Sequence, residues 1–230
     1  MSARYTICFT PTPDSPLNRF GSGVLGYDCF DAIEVPRLAI AGIDPAVLAL
    51  ATVDLRRGGF HAAFAPPFRL RNGSEAKLRE AFSAFAAAHL VVPVGRMEVA
   101  SAGAGIVLRP VEPPAQLEDL AAACVTAFHD FRAPPIADER ERHLAAGLSP
   151  RQIELLDRWG DPYVFDEFRF HMPFARPVAG GERDAIEACL ARAFEPLAGD
   201  LLEVGALSLM RQDDPAAAFH VVSRQRLTGK

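Results

Sequence analysis

The chain has 230 residues, half of them hydrophobic and 23% charged, which excludes a disordered chain and gives room for one large domain or two small packed lobes. A net charge of -5 and a pI near 5.7 exclude general affinity for nucleic acid or an anionic membrane, so any anion has to be held by a local pocket.

The N-terminal MSARYTICFTPTP is cut off at Pro11 and lacks the apolar core of a signal peptide. No later run is apolar for long enough to cross a bilayer, so the reading is a soluble, cytoplasmic protein without membrane association. Within this segment RYTICFT (4–10) alternates, with Tyr5, Ile7 and Phe9 on one side, and predicts a strand. Residues 12–59 are rich in Pro, Gly and Asp, with a short helical candidate at 44–53. GFHAAFAPPF (59–68) predicts a strand that its double proline ends. SEAKLREAFSAFAAAH (74–89) predicts a helix capped by Ser74, with Leu78, Phe82 and Phe85 on one stripe. Strands at 95–100 and 105–111 flank SAGAG, which reads as a turn rather than a phosphate loop because no helix follows it. Residues 113–131 predict a second long helix.

The stretch 132–166 differs from the rest. It holds a charged helical segment (ADERERHLAAG), a Ser149-Pro150 helix start and the helix RQIELLDRW. It is too short and polar to bury its own core, and reads as an insertion. The earlier order then returns: strand 167–176, helix 181–197, strands 201–212 and 219–227. The expectation is one bilobal domain over 1–230 with halves 1–131 and 167–230, edge strands open to exchange between them, and an internal pseudo-twofold. The four cysteines, Cys8, Cys29, Cys124 and Cys189, form no CxxC pair and read as reduced, buried residues, with no metal or other cofactor implied.

The two halves share one local pattern, a Phe before a His and another Phe three residues after it: Phe60-His61 with Phe64, and Phe170-His171 with Phe174. Because side chains alternate across a strand, Phe60, Ala62 and Phe64 face the core while His61 and Ala63 face away. By the same parity Phe168, Phe170, Met172 and Phe174 face the core, and Arg169, His171 and Pro173 face away. Two imidazoles on opposite sides of one phosphate suit hydrolysis of a cyclic phosphodiester, one taking a proton from water and the other protonating the leaving alkoxide. Which histidine takes which role stays open. His89, His129, His143 and His220 have no such partner and read as structural.

FHAAFAPPFRL and FRFHMPFA resemble the two signature strands of the two-histidine (2H) phosphoesterase superfamily, the LigT-like cyclic phosphodiesterases. RYTICFTP, SPLNRFGS, FHDFRAP and GLSPRQIELLDRWGDPYVFDEFRFHM are similar to a bacterial subgroup of unknown function associated with phosphonate metabolism. The resemblance implies an α+β, bilobal fold: two pseudo-symmetric antiparallel sheets, helices outside and a central cleft. It also implies metal-independent action on a small phosphate-containing ligand, with His61 and His171 catalytic. Tyr5, Arg132 and Tyr163 lie in family-like segments and, with Arg169, are the candidate substrate-binding residues. The superfamily motif places Thr or Ser two residues after each histidine, where this chain has Ala63 and Pro173. Losing one such donor costs about 10²–10³ in rate, so the alternative is a catalytically degenerate phosphoester-binding or accessory protein. Proteins of phosphonate metabolism are the candidate partners, with 132–166 as the contact; the charge argues against a long nucleic acid.

Overall fold

The structure is a computed structural model and describes residues 3–71, 74–103, 105–145, 147–176 and 182–229. Residue 104 of the SAGAG turn, residue 146 of the charged segment and residue 181 of the 181–197 helix lie outside the described residues.

The chain opens with β1 (Arg4–Phe9), whose residues are buried on both faces except Arg4. The Pro/Gly-rich stretch that follows contains a helix that the reading of 12–59 does not include, α1 (Pro16–Leu25). Its ends carry standard signals: Ser15 accepts from the Asn18 N–H, Pro16 sits in the first turn, and Gly26 closes the helix at φ 75°. Two short strands, β2 (Tyr27–Asp28) and β3 (Ile33–Glu34), precede α2 (Pro45–Arg56), which Asp44 caps.

The strand after it, β4 (Ala62–Arg69), runs through both Pro66 and Pro67 instead of ending there. β4 is the edge strand of its sheet, paired with β1 and, among the described residues, backbone-bonded on its other side only at its end, by Ala133 N–H to the Arg69 carbonyl, so a missing N–H at the prolines on that side breaks no ladder. The pairing also slips between Tyr5–Phe68 and Ile7–Ala65, a bulge opposite the prolines. Beyond β4 come α3 (Glu75–Ala88), capped by Ser74 as expected, then β5 (Val92–Gly95), β6 (Met97–Ala102) and β7 (Gly105–Pro110).

The helix α4 (Ala115–Phe128) leads into the 132–166 stretch, which contains α5 (Ala137–Leu144) and α6 (Pro150–Trp159). α5 buries no residue. α6 buries Leu155 and Leu156, and Leu155 joins Val125 of α4 and Val164 in a small separate cluster edged by Trp159 and Phe165. This stretch therefore borrows its core from α4.

The strand expected over 167–176 is regular only as β8 (Met172–Ala175). After α7 (Glu182–Phe194), the single strand expected at 201–212 is two, β9 (Leu202–Val204) and β10 (Ala206–Gln212), before β11 (His220–Arg226). The chain changes sheets between β9 and β10: β9 pairs with β5, whereas β10 lies between β1 and β11.

All the pairings are antiparallel. The largest sheet has the order β11-β10-β1-β4 and a second has the order β6-β7-β8. With helices packed against them, this is the α+β architecture expected. Each large sheet mixes the two halves of the chain: the C-terminal hairpin β10–β11 completes the sheet of β1 and β4, and the central hairpin β6–β7 completes that of β8. Among the described residues no helix is long and apolar enough to cross a membrane. The four cysteines are free and buried.

One contact between α1 and the strand region sets a strict size limit. A Cβ on Gly21 would stand 2.1 Å from Cδ1 of the fully buried Phe60 ring. Gly21→Ala should destabilise the fold by about 1–3 kcal/mol through this overpacking. Thermal unfolding of Gly21→Ala with and without Phe60→Leu checks it, because the smaller ring-less side chain should recover part of the loss if the clash is the cause.

Candidate functional site

Phe60 and Phe64 pack against the Phe residues that bracket the second histidine, and the pairing is reciprocal. The Phe60 ring stacks on Phe174 with centroids 5.3 Å apart and planes 9° apart, and the Phe64 ring meets Phe170 at 5.8 Å. The residue before each histidine thus touches the residue three places after the other. Phe168 stacks on Phe64 at 5.8 Å, and Phe9 of β1 meets Phe170 at 5.9 Å. These rings are all buried. With the even-numbered side chains so engaged, His61 and Ala63 are left half-buried on the opposite side, and Arg169 and His171 are exposed there with the half-buried Pro173. Both histidines stand immediately before the regular part of their strands, at the edges of two different sheets.

Each imidazole is held in the same way. Nδ1 of His61 lies 3.1 Å from the Gly59 carbonyl, and Nδ1 of His171 lies 2.7 Å from the Arg169 carbonyl. A carbonyl only accepts, so Nδ1 carries the proton in both, and in the neutral ring Nε2 is left with its lone pair. Gly59 supports this at φ 69°, where a Cβ would come within 2.7 Å of Cys29.

Burial lowers the pKa of His61 below its usual value, the Gly59 carbonyl and a backbone bond at Gly58 oppose the shift, and the charge of His171 lowers it further. A folded-state pKa below the unfolded one means that stability from His61 is present above about pH 6.5 and is lost as the pH falls toward the depressed value.

His61 lines a cleft of about 1410 Å³. Its walls come from Arg4 and Thr6 of β1, Pro67 and Arg69 of β4, Asp54, Arg57 and Gly58 at the end of α2, Arg176 after β8, and α5 with its flanking residues. The 132–166 stretch therefore covers part of this cleft. It is tied down by a two-pronged bond from Arg69 to Glu139, at 2.7 and 3.0 Å, and α5 is linked to α6 by Arg140 and Asp157.

None of the four candidate binding residues is among those that line this cleft. Tyr5 is buried and donates to Glu75 at 2.9 Å, in a network with Arg79 and Arg211. The Arg132 guanidinium bonds the carbonyls of Pro66 and Pro67 and lies 5.2 Å over the Phe68 ring. It satisfies the free edge of β4, and burial lowers its pKa. Tyr163 is half exposed. Arg169 shares the outward side with His171, but its guanidinium turns back onto the carbonyls of Asp166 and Phe168. The degenerate positions Ala63 and Pro173 sit beside the histidines, as parity requires. Among the described residues no three His, Cys, Asp or Glu side chains converge as metal ligands would.

Sequence reasoning passed over Arg57 and Arg176. Each lies just outside a histidine segment, in RRGGFH and MPFAR, where nothing in the local periodicity separates it from a surface cation.

Residues 63–220 match the family model described as a protein of unknown function, DUF1045. The chain is 34% identical over 221 residues to a protein of Janthinobacterium sp. (strain Marseille) named ribose 1,5-bisphosphate phosphokinase PhnN, covering 94% of this chain and 49% of that one. A protein of the same name from Laribacter hongkongensis (strain HLHK9) is 31% identical, with 95% and 50% covered. The chain thus spans about half the length of these curated relatives. Among solved structures, E. coli LigT complexed with 3′-AMP aligns over 99% of both chains with a TM-score of 0.45 and 12% identity. A structure described as a phosphoesterase aligns equally fully at 0.43 and 12%.

His171→Ala should raise the pKa of His61, because a neighbouring positive charge is removed. An NMR titration of the imidazole Cε1–H signals checks this; an unmoved His61 would show that the two rings do not sense each other.

Proposed function

The chain belongs to the DUF1045 family, and from that premise we propose that it hydrolyses a small cyclic phosphodiester, with His61 as general base and His171 as general acid. The observation that carries the reading is the reciprocal Phe lock, which presents two imidazoles on one side with the same carbonyl-anchored tautomer.

In the proposed step, Nε2 of His61 takes a proton from water as the water oxygen attacks phosphorus. The P–O bond to one ring oxygen breaks, and that oxygen receives a proton from His171. His61 takes the base role because burial favours its neutral form. The name of the curated relatives supports a substrate class: a kinase named for ribose 1,5-bisphosphate is matched over about half its length by this chain. Opening a 1,2-cyclic phosphate on ribose 5-phosphate leaves such a bisphosphate, so a phosphorylated cyclic ribose phosphate is the proposed substrate. The resemblance to a subgroup associated with phosphonate metabolism supports the same setting, in which proteins of that metabolism are the proposed partners.

Ala63 and Pro173 favour a second reading, a phosphoester-binding protein with little turnover. Neither side chain can donate, and Pro173 has no N–H.

A hydrolysis panel of ribose 5-phosphate 1,2-cyclic phosphate and nucleoside 2′,3′-cyclic phosphates separates the two. The hydrolase reading expects turnover that falls about 10²–10⁴-fold in His61→Ala and in His171→Ala; activity that persists in both variants would sink the assignment. The rate should also decline on acidification through the depressed His61 pKa. Ala63→Thr should raise turnover by up to about 10²-fold by restoring one donor, and a variant that binds product but turns nothing over would favour the second reading.

A further inference from the structure

Resting on that reading of the site, we propose that Arg57 and Arg176 form a second subsite, at one end of the histidine pair, for a phosphate monoester carried by the same substrate. The aromatic lock decides which residues can reach it. Since Phe60 meets Phe174 and Phe64 meets Phe170, the two segments pass each other in opposite directions. The chain before Phe60 therefore emerges at the same end as the chain after Phe174. Arg57 precedes His61 by four residues, and Arg176 follows His171 by five. Both line the cleft that contains His61. Four residues of chain put the Arg57 Cα at most about 14 Å from that of His61. The backbone fixes both positions: Phe219 N–H donates to the Arg57 carbonyl at 2.7 Å, and Arg176 N–H donates to the Ala51 carbonyl at 2.9 Å.

Neither guanidinium is committed to the fold. Arg57 has no side-chain partner among the described residues. It is not needed at the end of α2 either, because Gly58 and Gly59 N–H already bond the carbonyls of Leu55 and Arg56. Among the described residues Arg176 approaches only Asp54, at 4.0 Å, with both side chains about two-thirds exposed (64% and 67%); such a pair contributes little. A phosphate dianion would replace Asp54 as the counter-charge and gain charge-assisted bonds from two forks.

The other arginines around the site differ. Arg132 and Arg169 are spent on backbone carbonyls. Arg69 lies eight residues beyond His61, about 26 Å along a strand, and holds Glu139. A single pentose does not span that distance, so the cluster of Arg69, Arg4 and Arg142 belongs to the seating of α5.

The test compares ribose 5-phosphate 1,2-cyclic phosphate with ribose 1,2-cyclic phosphate, which lacks the monoester. Arg57→Gln and Arg176→Gln should each lower kcat/KM for the first by about 10- to 100-fold and leave the second substrate unaffected. Arg57→Lys should recover part of the loss, and Asp54→Asn should lower KM by removing the competing carboxylate. Equal effects on both substrates, or none on either, would overturn the subsite. Ribose 5-phosphate titrated by NMR into the His61→Ala/His171→Ala protein tests it apart from catalysis. Binding that weakens about 10- to 100-fold on adding Arg57→Gln supports the subsite; absent binding, or binding indifferent to Arg57, overturns it. If the wild type opens neither cyclic phosphate, the hydrolase reading fails and the titration alone decides. Unchanged thermal midpoints, expected for exposed side chains, show that the variants remain folded.

Discussion

The arrangement depends on two ring pairs, Phe60 with Phe174 and Phe64 with Phe170. Aromatic pairs of this kind contribute about 0.5–1.5 kcal/mol each beyond the area they bury, but their larger effect is geometric. They fix the rotation of two chain segments that share no backbone ladder, and alternation then forces His61 and His171 onto the opposite side. The lock also explains the local sequence around it. Gly21 has no side chain because Phe60 fills its space. Pro66, Pro67 and Pro173 are tolerated because β4 and β8 meet through side chains at sheet edges, where a missing N–H costs no ladder bond.

The same constraint makes the two halves interdependent. Neither His strand completes its sheet from its own half: β4 pairs with β1, but β10–β11 from the other end of the chain finish that sheet, and β8 relies on β6–β7. β5 and β9, which follow corresponding helices, pair directly with each other. Because each large sheet draws strands from both sides of residue 131, neither stretch has a complete core alone. The 132–166 stretch stands outside this mixing of strands. α6 is seated by buried leucines, whereas α5 buries nothing and depends on the partly exposed Arg69–Glu139 pair and on Arg140–Asp157. Partly exposed pairs of this kind contribute up to about 1 kcal/mol, so α5 is the least firmly held wall of the cleft.

Strand parity was the most legible feature of the chain. Period-two alternation needs only a few residues, and it located both outward-facing histidines, Ala63 and Pro173. Helices with a Ser cap and a continuous stripe, such as α3, were equally plain. α1 was not, because its Pro and Gly, which read as loop composition, are its end signals. The prolines of β4 misled for a related reason: a proline ends a central strand, but sequence alone does not say which strand lies at an edge. The binding candidates depended on information further from the residue. Arg169 has the right parity, yet a long flexible side chain can turn back on its own loop. Tyr5 lies in a strand buried on both faces, so alternation could not say which side is the cleft. Arg57 and Arg176 become neighbours of the site only once the antiparallel passage of the two segments is known.

That passage bears on the absent hydroxyls. On the proposed reading, a site short of two donors beside the phosphorus has less to offer the charge developing on the phosphoryl oxygens. Binding energy from a remote group can offset part of that loss if it is realised more fully in the transition state than in the ground state. A monoester held by Arg57 and Arg176 as proposed would be such a group: it would orient the diester between two imidazoles whose positions the Phe lock already fixes. The price is selectivity, since a substrate without the second phosphate meets the depleted site alone. Ala63 and Pro173 are then compatible with a hydrolase of narrow range, and the degeneracy of the motif and the free arginines at the cleft end have a single physical account.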